Sequence, residues 1–361
     1  IGDGRLFVED YPADTAFVID VILRIAAGHI PHVDFTLHLG AMPYLLAAAT
    51  GGATPVESFL TGQAIFTGLC LLLGLWVWWT RLGSISGPVL LVFLLILALT
   101  TSVPSRTFVS FALFYTRWSW ALLLLFACLA FLPSRRDGVH SLDGVLTGGV
   151  AFLLLTTKIT FFVGLLPAAF LCSALRVRWR EMIWSLGSFA FLVAVVFAWS
   201  PGFWPGYVEN IAWAATNPLR PNAGITLMRL VGGGLLLGYT LVFAIFLVVV
   251  FRTKGAVETL WLGIAALGFY FIQYQNFIAA PFWVLFLTVY ALVQAGNVRG
   301  KALRGTWLVL SVALLFFCGV LMKPMVYGML QFGARMSEKT QVAFPPDGPM
   351  VTGAYFAPSA M

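Results

Sequence analysis

The chain has 361 residues, of which 60% are hydrophobic and only 10% are charged, with a mean hydropathy of +0.94. Soluble globular domains have about a quarter of their residues charged, so this composition excludes a soluble globular protein and predicts an all-α integral membrane protein. The net charge of +7 comes from basic residues in short segments between apolar runs. That pattern sets membrane topology, so we expect membrane lipids as partners and no nucleic acid.

The N-terminal segment, residues 1–56, is rich in acidic residues. Its first 34 positions hold six of the 14 acidic residues of the chain, and three of the four histidines lie in the same segment. A carboxylate costs little in a water-facing loop and much at mid-bilayer. We therefore expect the chemistry of the protein in this segment and at the adjoining helix ends.

Within this segment, residues 14–27 have apolar side chains at helical spacing, broken by Asp20 and Arg24. These two residues are four apart and can pair on the polar face of a helix. The pattern predicts an amphipathic helix that lies along the membrane surface and does not span it.

The apolar runs that follow predict about ten transmembrane helices. Lys158 interrupts the run 142–175, which forms either a hairpin of two spans or one long tilted helix. The chain begins at Ile1 without an initiator Met, so we expect it to be cropped, with room for one more span before Ile1. The ten predicted spans are 57–79, 87–102, 107–132, 142–157, 159–175, 183–200, 222–251, 257–275, 279–296 and 306–322.

Basic residues fix the predicted orientation. Eleven of the 21 lie in the five connections 80–86, 133–141, 176–182, 252–256 and 297–305, which predicts that these connections are cytoplasmic. Connections on the same side of the membrane must be separated by an even number of spans. This holds for the five basic connections only if 142–175 is a hairpin of two spans, so the count favours the hairpin. The predicted domains are a non-cytoplasmic segment 1–56, a transmembrane body 57–326 with an outer loop 201–221, and a non-cytoplasmic tail 327–361 that we expect to be truncated.

Two motifs flank the amphipathic helix: D-Y-P-A-D-T at 10–15 and G-H-I-P-H-V-D-F-T-L-H-L-G-A-M-P-Y-L at 28–45. Their order resembles the first outer loop of the GT-C glycosyltransferases, polytopic enzymes that use lipid-phosphate-linked sugars. Relatives of that family include protein mannosyltransferases and the aminoarabinose transferase of lipid A. His32 stands where the family usually has Tyr, and Ala41-Met42 interrupts the usual Gly-Pro step. The resemblance is strong only over residues 10–45.

The resemblance implies that Asp14 is the catalytic carboxylate, with Asp10 as the second candidate. In an inverting transfer, a carboxylate takes the proton of the acceptor hydroxyl as the sugar leaves its phosphate. Asp14 also precedes an apolar-periodic run, where an aspartate commonly caps a helix, and the two roles are compatible. The implied partners are a polyprenyl-phosphate-linked sugar donor and a glycan, lipid or protein acceptor.

A phosphate leaving group requires cations on the same side as the acid. Lys158 breaks an apolar run at the predicted hairpin tip, and family members often have Lys in a comparable T-K position. Arg117 lies some ten residues into a predicted span, where a lone cation is costly, so it requires a partner. Arg220 is a third candidate. Phosphate binding and structural pairing both remain open for Lys158 and Arg117.

Asp34 and His38 flank the turn into the membrane and either bind the acceptor or steady the loop. Together with His29 and His32 they have the residue types of a divalent metal site, but their spacing matches no closed-site pattern, so we expect no metal cofactor. Tyr207 fits an aromatic anchor at the membrane interface, with carbohydrate stacking as the alternative, and Asn210 fits either substrate contact or a solvated helix face.

Three functions fit the sequence: a membrane glycosyltransferase, a lipid or solute transporter, and a non-catalytic assembly subunit. Transporters usually have two related halves with ionisable groups at mid-membrane. The chain has no such internal symmetry, and its acids cluster at one face. The sequence therefore favours the glycosyltransferase, in a bacterial inner membrane, with its active site on the periplasmic face.

Overall fold

The computed structural model describes residues 12–100, 114–216, 234–274, 281–298 and 300–338. Within these ranges every regular element is an α-helix, as the composition predicts. Asp10 and Arg220 lie outside the described residues, and only the position of Asp14 in the first helix is described. The helices are α1 (Pro12–Ala26), α2 (Met42–Ala49), α3 (Pro55–Arg81), α4 (Ser86–Leu99), α5 (Phe114–Phe131), α6 (His140–Thr157), α7 (Ile159–Leu175), α8 (Trp179–Trp199), α9 (Phe203–Thr216), α10 (Gly234–Lys254), α11 (Ala256–Tyr274), α12 (Trp283–Asn297) and α13 (Lys301–Glu338).

Six of the described helices are long and apolar enough to cross a membrane: α3, α5, α8, α10, α11 and α13. Three more, α4, α7 and α12, are apolar but shorter. This is the helix content that an α-helical membrane protein requires. The count of ten spans remains a prediction.

The predicted amphipathic helix is confirmed as α1, and its position along the membrane surface remains a prediction. Val21 and Ile22 are buried on one side of it, whereas Asp20 and Arg24 are partly exposed. As predicted, these two residues form an ion pair, with Arg24 Nε 2.8 Å from Asp20 Oδ2. The helix ends before Gly28, whose φ of +90° is a conformation that glycine adopts without strain.

The predicted break of 142–175 into two helices at Lys158 is also confirmed, and the alternative of one long tilted helix is wrong. That both helices span the membrane remains a prediction. Helix α6 ends at Thr157 and α7 begins at Ile159, so Lys158 is the only residue between them. Its extended backbone, with φ −159° and ψ 102°, cannot continue a helix.

Helix α5 is the centre of the bundle. Of its residues 94% are buried, and it contacts α3, α4, α6, α7 and α12. The last carbonyls of a helix have no partner within the helix, so a buried helix end needs donors from elsewhere. At the C-terminal end of α5 arginines supply them, in the bonds Arg81 Nη2 to Leu129 O (3.1 Å), Arg178 Nη1 to Ala130 O (2.7 Å) and Arg176 Nη1 to Phe131 O (2.6 Å).

Each of these three arginines is also paired with a carboxylate. The deepest pair joins Arg81 on α3 to Asp143 on α6, which are 2.7 Å apart with both side chains fully buried. Trp76 Nε1 donates a further hydrogen bond of 2.8 Å to Asp143 Oδ1. The other pairs are Arg176–Glu258 (2.7 Å) and Arg178–Glu181.

The connections that carry the basic residues meet at this end of the bundle. The Arg135 amide donates to Thr80 O (2.7 Å) and its guanidinium donates to Asn297 Oδ1 (2.5 Å), which joins three of the five connections. We call this the basic end, and the α6–α7 hairpin tip around Lys158 lies at the opposite end, the hairpin end. Which side of the membrane each end faces remains a prediction.

Helices α6 and α8 pack closely where α6 has two adjacent glycines. A Cβ on Gly148 would overlap the backbone oxygen of Ser185 and the hydroxyl of Ser188 on α8, whereas a Cβ on Gly149 would meet nothing within 4 Å. Small residues at such crossings let two membrane helices approach each other closely.

The two glycines provide a matched test of this packing. We expect Gly148→Ala to lower the free energy of unfolding in detergent by about 1–3 kcal/mol, because the new methyl group overpacks the crossing. Gly149→Ala should be neutral, or stabilising by up to about 1 kcal/mol, because alanine favours helix more than glycine does. Equal effects of the two substitutions would contradict the α6–α8 packing.

Candidate functional site

The loop that carries the second sequence motif is fastened to the hairpin end. The Gly40 amide donates to Thr157 O at 3.2 Å, and a Cβ at Gly40 would overlap Thr156 O. The two backbones can therefore come this close only because residue 40 is a glycine and has no Cβ. This contact places the end of the loop, at Gly40, directly against the turn that contains Lys158.

His32 fastens the same loop to α9. Its Nδ1 lies 3.0 Å from Asn210 Nδ2, and its ring makes edge contacts with Phe203 (5.1 Å between centroids) and Tyr207 (4.9 Å). A Cβ at Gly206 would overlap His32 O, so the backbones are also in close contact. Tyr207 in turn donates a hydrogen bond of 2.5 Å to Leu155 O on α6.

The predicted roles of Tyr207 and Asn210 are corrected by these contacts. Tyr207 is buried and is not an interfacial anchor, because its ring is enclosed by the loop and its hydroxyl bonds to α6. Asn210 contacts His32 and so does not belong to a purely solvated face. Sequence spacing could not reveal either contact, since the two partners His32 and Asn210 lie 178 positions apart.

His32 is 94% buried and its pKa is lowered to about 4 by loss of solvation. Its folded pKa is below the unfolded value of 6.5, so the folded state favours the neutral ring. The contribution of His32 to the free energy of unfolding is therefore complete above pH 6.5 and is lost as the pH falls toward 4.

We expect the wild-type protein to lose about 3 kcal/mol of unfolding free energy from this group between pH 7 and pH 4. His32→Asn should remove that part of the pH dependence, because asparagine cannot titrate and tolerates the positive φ of 68° at this position. His29→Asn, in the same loop but exposed, is the control and should retain it. The measurement is denaturant unfolding in detergent at each pH, and an unchanged profile in the His32 variant would contradict this assignment.

Lys158 lies half-buried at the hairpin end, among residues of α5 and α7. Its Nζ donates to Thr116 Oγ1 at 3.1 Å and lies 5.0 Å from the ring centroid of Tyr115 and 5.8 Å from that of Phe161. An ammonium group over aromatic faces is stabilised by the ring quadrupoles. The lysine is therefore held at a defined position against α5.

Arg117 follows Thr116 in the chain and is buried, with a relative exposure of 2%. The structure thus brings two of the predicted phosphate-binding cations to the same stretch of α5, although 41 positions separate them in the sequence. Thr116 is the residue that connects them, and the sequence contained no signal that singled it out.

Asp34 and His38 both have contacts that steady the loop. The Asp34 carboxylate accepts a hydrogen bond of 2.6 Å from the Ile30 amide and so closes the turn that contains His32. His38 is exposed, and its ring lies 5.3 Å from that of Phe17 on α1. The sequence left two roles open for Asp34 and His38, acceptor binding and stabilisation of the loop. The contacts described here are those of the second role.

Among the described residues, no group of three His, Cys, Asp or Glu side chains is arranged to hold a metal ion. The structure does not bring together the four side chains that the sequence suggested as ligands, His29, His32, Asp34 and His38. The His32 ring contacts α9, whereas the His38 ring contacts α1.

No protein family, no curated protein and no solved structure matches this chain.

Proposed function

We propose that the protein is a polytopic membrane glycosyltransferase of the GT-C type, which transfers a sugar from a polyprenyl-phosphate-linked donor to an acceptor. The observation that supports this most is the position of Lys158. The loop that carries the second sequence motif is hydrogen-bonded directly to the turn that contains this lysine, from the Gly40 amide to Thr157 O. Lys158, Arg117 at the start of α5 and this loop then lie at the same end of the bundle.

In the proposed reaction the acceptor hydroxyl attacks the anomeric carbon of the donor sugar. The bond between that carbon and the phosphate oxygen breaks, and polyprenyl phosphate leaves with the electron pair. Asp14 accepts the hydroxyl proton, with Asp10 as the second candidate for this role. Lys158, with Arg117 and Arg220, stabilises the negative charge on the leaving phosphate. Attack on the face opposite the phosphate inverts the anomeric configuration.

The proposal includes the orientation. About ten spans, with the basic end in the cytoplasm, place the hairpin end on the outer face of a bacterial inner membrane. A lipid-linked donor presents its phosphate at the membrane–water boundary, the depth expected for a lysine at a hairpin tip. Asp34 and His38 are then the candidates for contact with the acceptor, in addition to their roles in the loop.

Lys158→Met tests the role of the lysine, because methionine keeps an apolar stem and removes the charge. We expect the affinity for polyprenyl phosphate to fall roughly ten- to a hundred-fold, since a charge-assisted contact to a phosphate is worth about 1.5–3 kcal/mol. The measurement is binding of labelled polyprenyl phosphate to the purified protein in detergent.

Lys254→Met is the control, since this lysine also lies at a helix end but is exposed and belongs to the basic end. It should bind polyprenyl phosphate as the wild type does. Unchanged affinity in the Lys158 variant, with a melting temperature near that of the wild type, would remove the lysine from the site and leave the phosphate role to Arg117.

A further inference from the structure

Three of the four described carboxylates at the basic end form ion pairs with arginines. Asp143, Glu181 and Glu258 each pair with one of the arginines that cap α5. Asp137 is the only other carboxylate there among the described residues. At this end of the bundle, the described cations outside these three pairs are Arg135, Arg136, Arg180, Arg252, Lys254, Lys301 and Arg304. The surface of this end is therefore strongly positive.

Two of these cations are held in place on one loop. The Arg135 guanidinium is fixed by its 2.5 Å hydrogen bond to Asn297, and its backbone amide is bonded to Thr80. The Arg136 guanidinium lies 5.1 Å from the ring centroid of Trp79. Both side chains are exposed, and neither makes an ion pair with a carboxylate of the described residues.

Trp79 is the last member of an exposed apolar stripe along α3. The stripe follows helical spacing of four, three, three and four residues, and it spans about 21 Å at 1.5 Å per residue. Its members, with their exposed fractions, are Ile65 (50%), Leu69 (38%), Leu72 (66%), Leu75 (46%) and Trp79 (52%). The stripe has the length of an extended acyl chain and ends beneath the guanidinium of Arg136.

We propose that this surface binds an anionic phospholipid, with the phosphate at Arg135 and Arg136 and one acyl chain along the stripe of α3. The stripe favours a lipid over a free phosphate ion, because a soluble phosphate gains nothing from an apolar surface. The excess of cations favours an anionic headgroup, since the ammonium of a zwitterionic lipid would be repelled. Arginine suits this role because its planar guanidinium donates two parallel hydrogen bonds to a phosphate.

The full chain, purified in a neutral detergent, should bind phosphatidylglycerol in a saturable one-to-one manner by native mass spectrometry, and phosphatidylcholine much more weakly. Replacement of both arginines, Arg135→Gln with Arg136→Gln, should weaken phosphatidylglycerol binding roughly 25-fold, at roughly fivefold for each charge. Trp79→Leu keeps an apolar side chain and should cost severalfold, because the ring no longer orients Arg136. Soluble glycerol phosphate should not compete.

Arg180→Gln is the matched control, because Arg180 is exposed at the same end and its substitution removes one positive charge, as Arg136→Gln does. It should leave phosphatidylglycerol binding within twofold of the wild type. If Arg180→Gln weakens phosphatidylglycerol binding as much as Arg136→Gln alone does, the proposal is overturned. Such a result would show that the lipid is attracted to the positive surface in general and not to this site. Equal binding of phosphatidylcholine, or competition by glycerol phosphate, would overturn it as well.

Discussion

Replacement of Asp143 by Leu should lower the free energy of unfolding by about 3–5 kcal/mol, because it leaves the guanidinium of Arg81 buried without a counter-charge. Both side chains of the pair are fully buried, so water cannot take the place of the lost carboxylate. Trp76 loses its hydrogen-bond acceptor in the same change. The measurement is denaturant unfolding of the purified protein in detergent.

Two further variants separate the buried charge from other effects of this substitution. Arg81→Met combined with Asp143→Leu should be clearly more stable than Asp143→Leu alone, because no unpaired charge remains. Asp20→Asn breaks the partly exposed pair with Arg24 and should change stability by less than about 1 kcal/mol. If Asp143→Leu is as mild as Asp20→Asn, the buried pair does not hold the basic end together.

Local sequence pattern was sufficient where the physics is local. The amphipathic helix followed from apolar spacing and from the i, i+4 pair of Asp20 and Arg24, which are contacts within one helix. The hairpin followed from one lysine in an apolar run and from the count of basic connections. Both features depend on neighbours in the chain, so both could be predicted.

Pairing across the bundle could not be predicted in this way. The sequence assigned Arg81 to the connection 80–86, predicted to be cytoplasmic. The structure has this residue fully buried on the last turn of α3, against Asp143, 62 positions away. Which helices pack together decides whether such a residue meets a carboxylate or water. The same limit applies to His32 with Asn210 and to Lys158 with Thr116, which meet only after the helices have assembled.

Replacement of Asp14 by Asn should abolish sugar transfer while the protein remains folded and inserted. A positioned general base contributes about 10²–10⁴-fold to a rate, and the amide of asparagine cannot accept the proton. Asp14 is the third residue of α1 and so lies inside the helix, not at the N-cap position that the sequence suggested. Asparagine has nearly the shape of aspartate, so the change removes the carboxylate with little other effect. Asp20→Asn, on the same helix, is the control and should retain activity.

The most direct measurement is the release of polyprenyl phosphate from labelled polyprenyl-phosphate sugars by the purified protein in liposomes, with acceptor lipids and glycans supplied. Our account predicts release and sugar transfer by the wild type and by the Asp20→Asn protein, and neither by the Asp14→Asn protein. Full activity in the Asp14 variant would exclude Asp14 as the general base and would transfer that role to Asp10. No release by the folded wild-type protein from any donor of this class would contradict the glycosyltransferase itself.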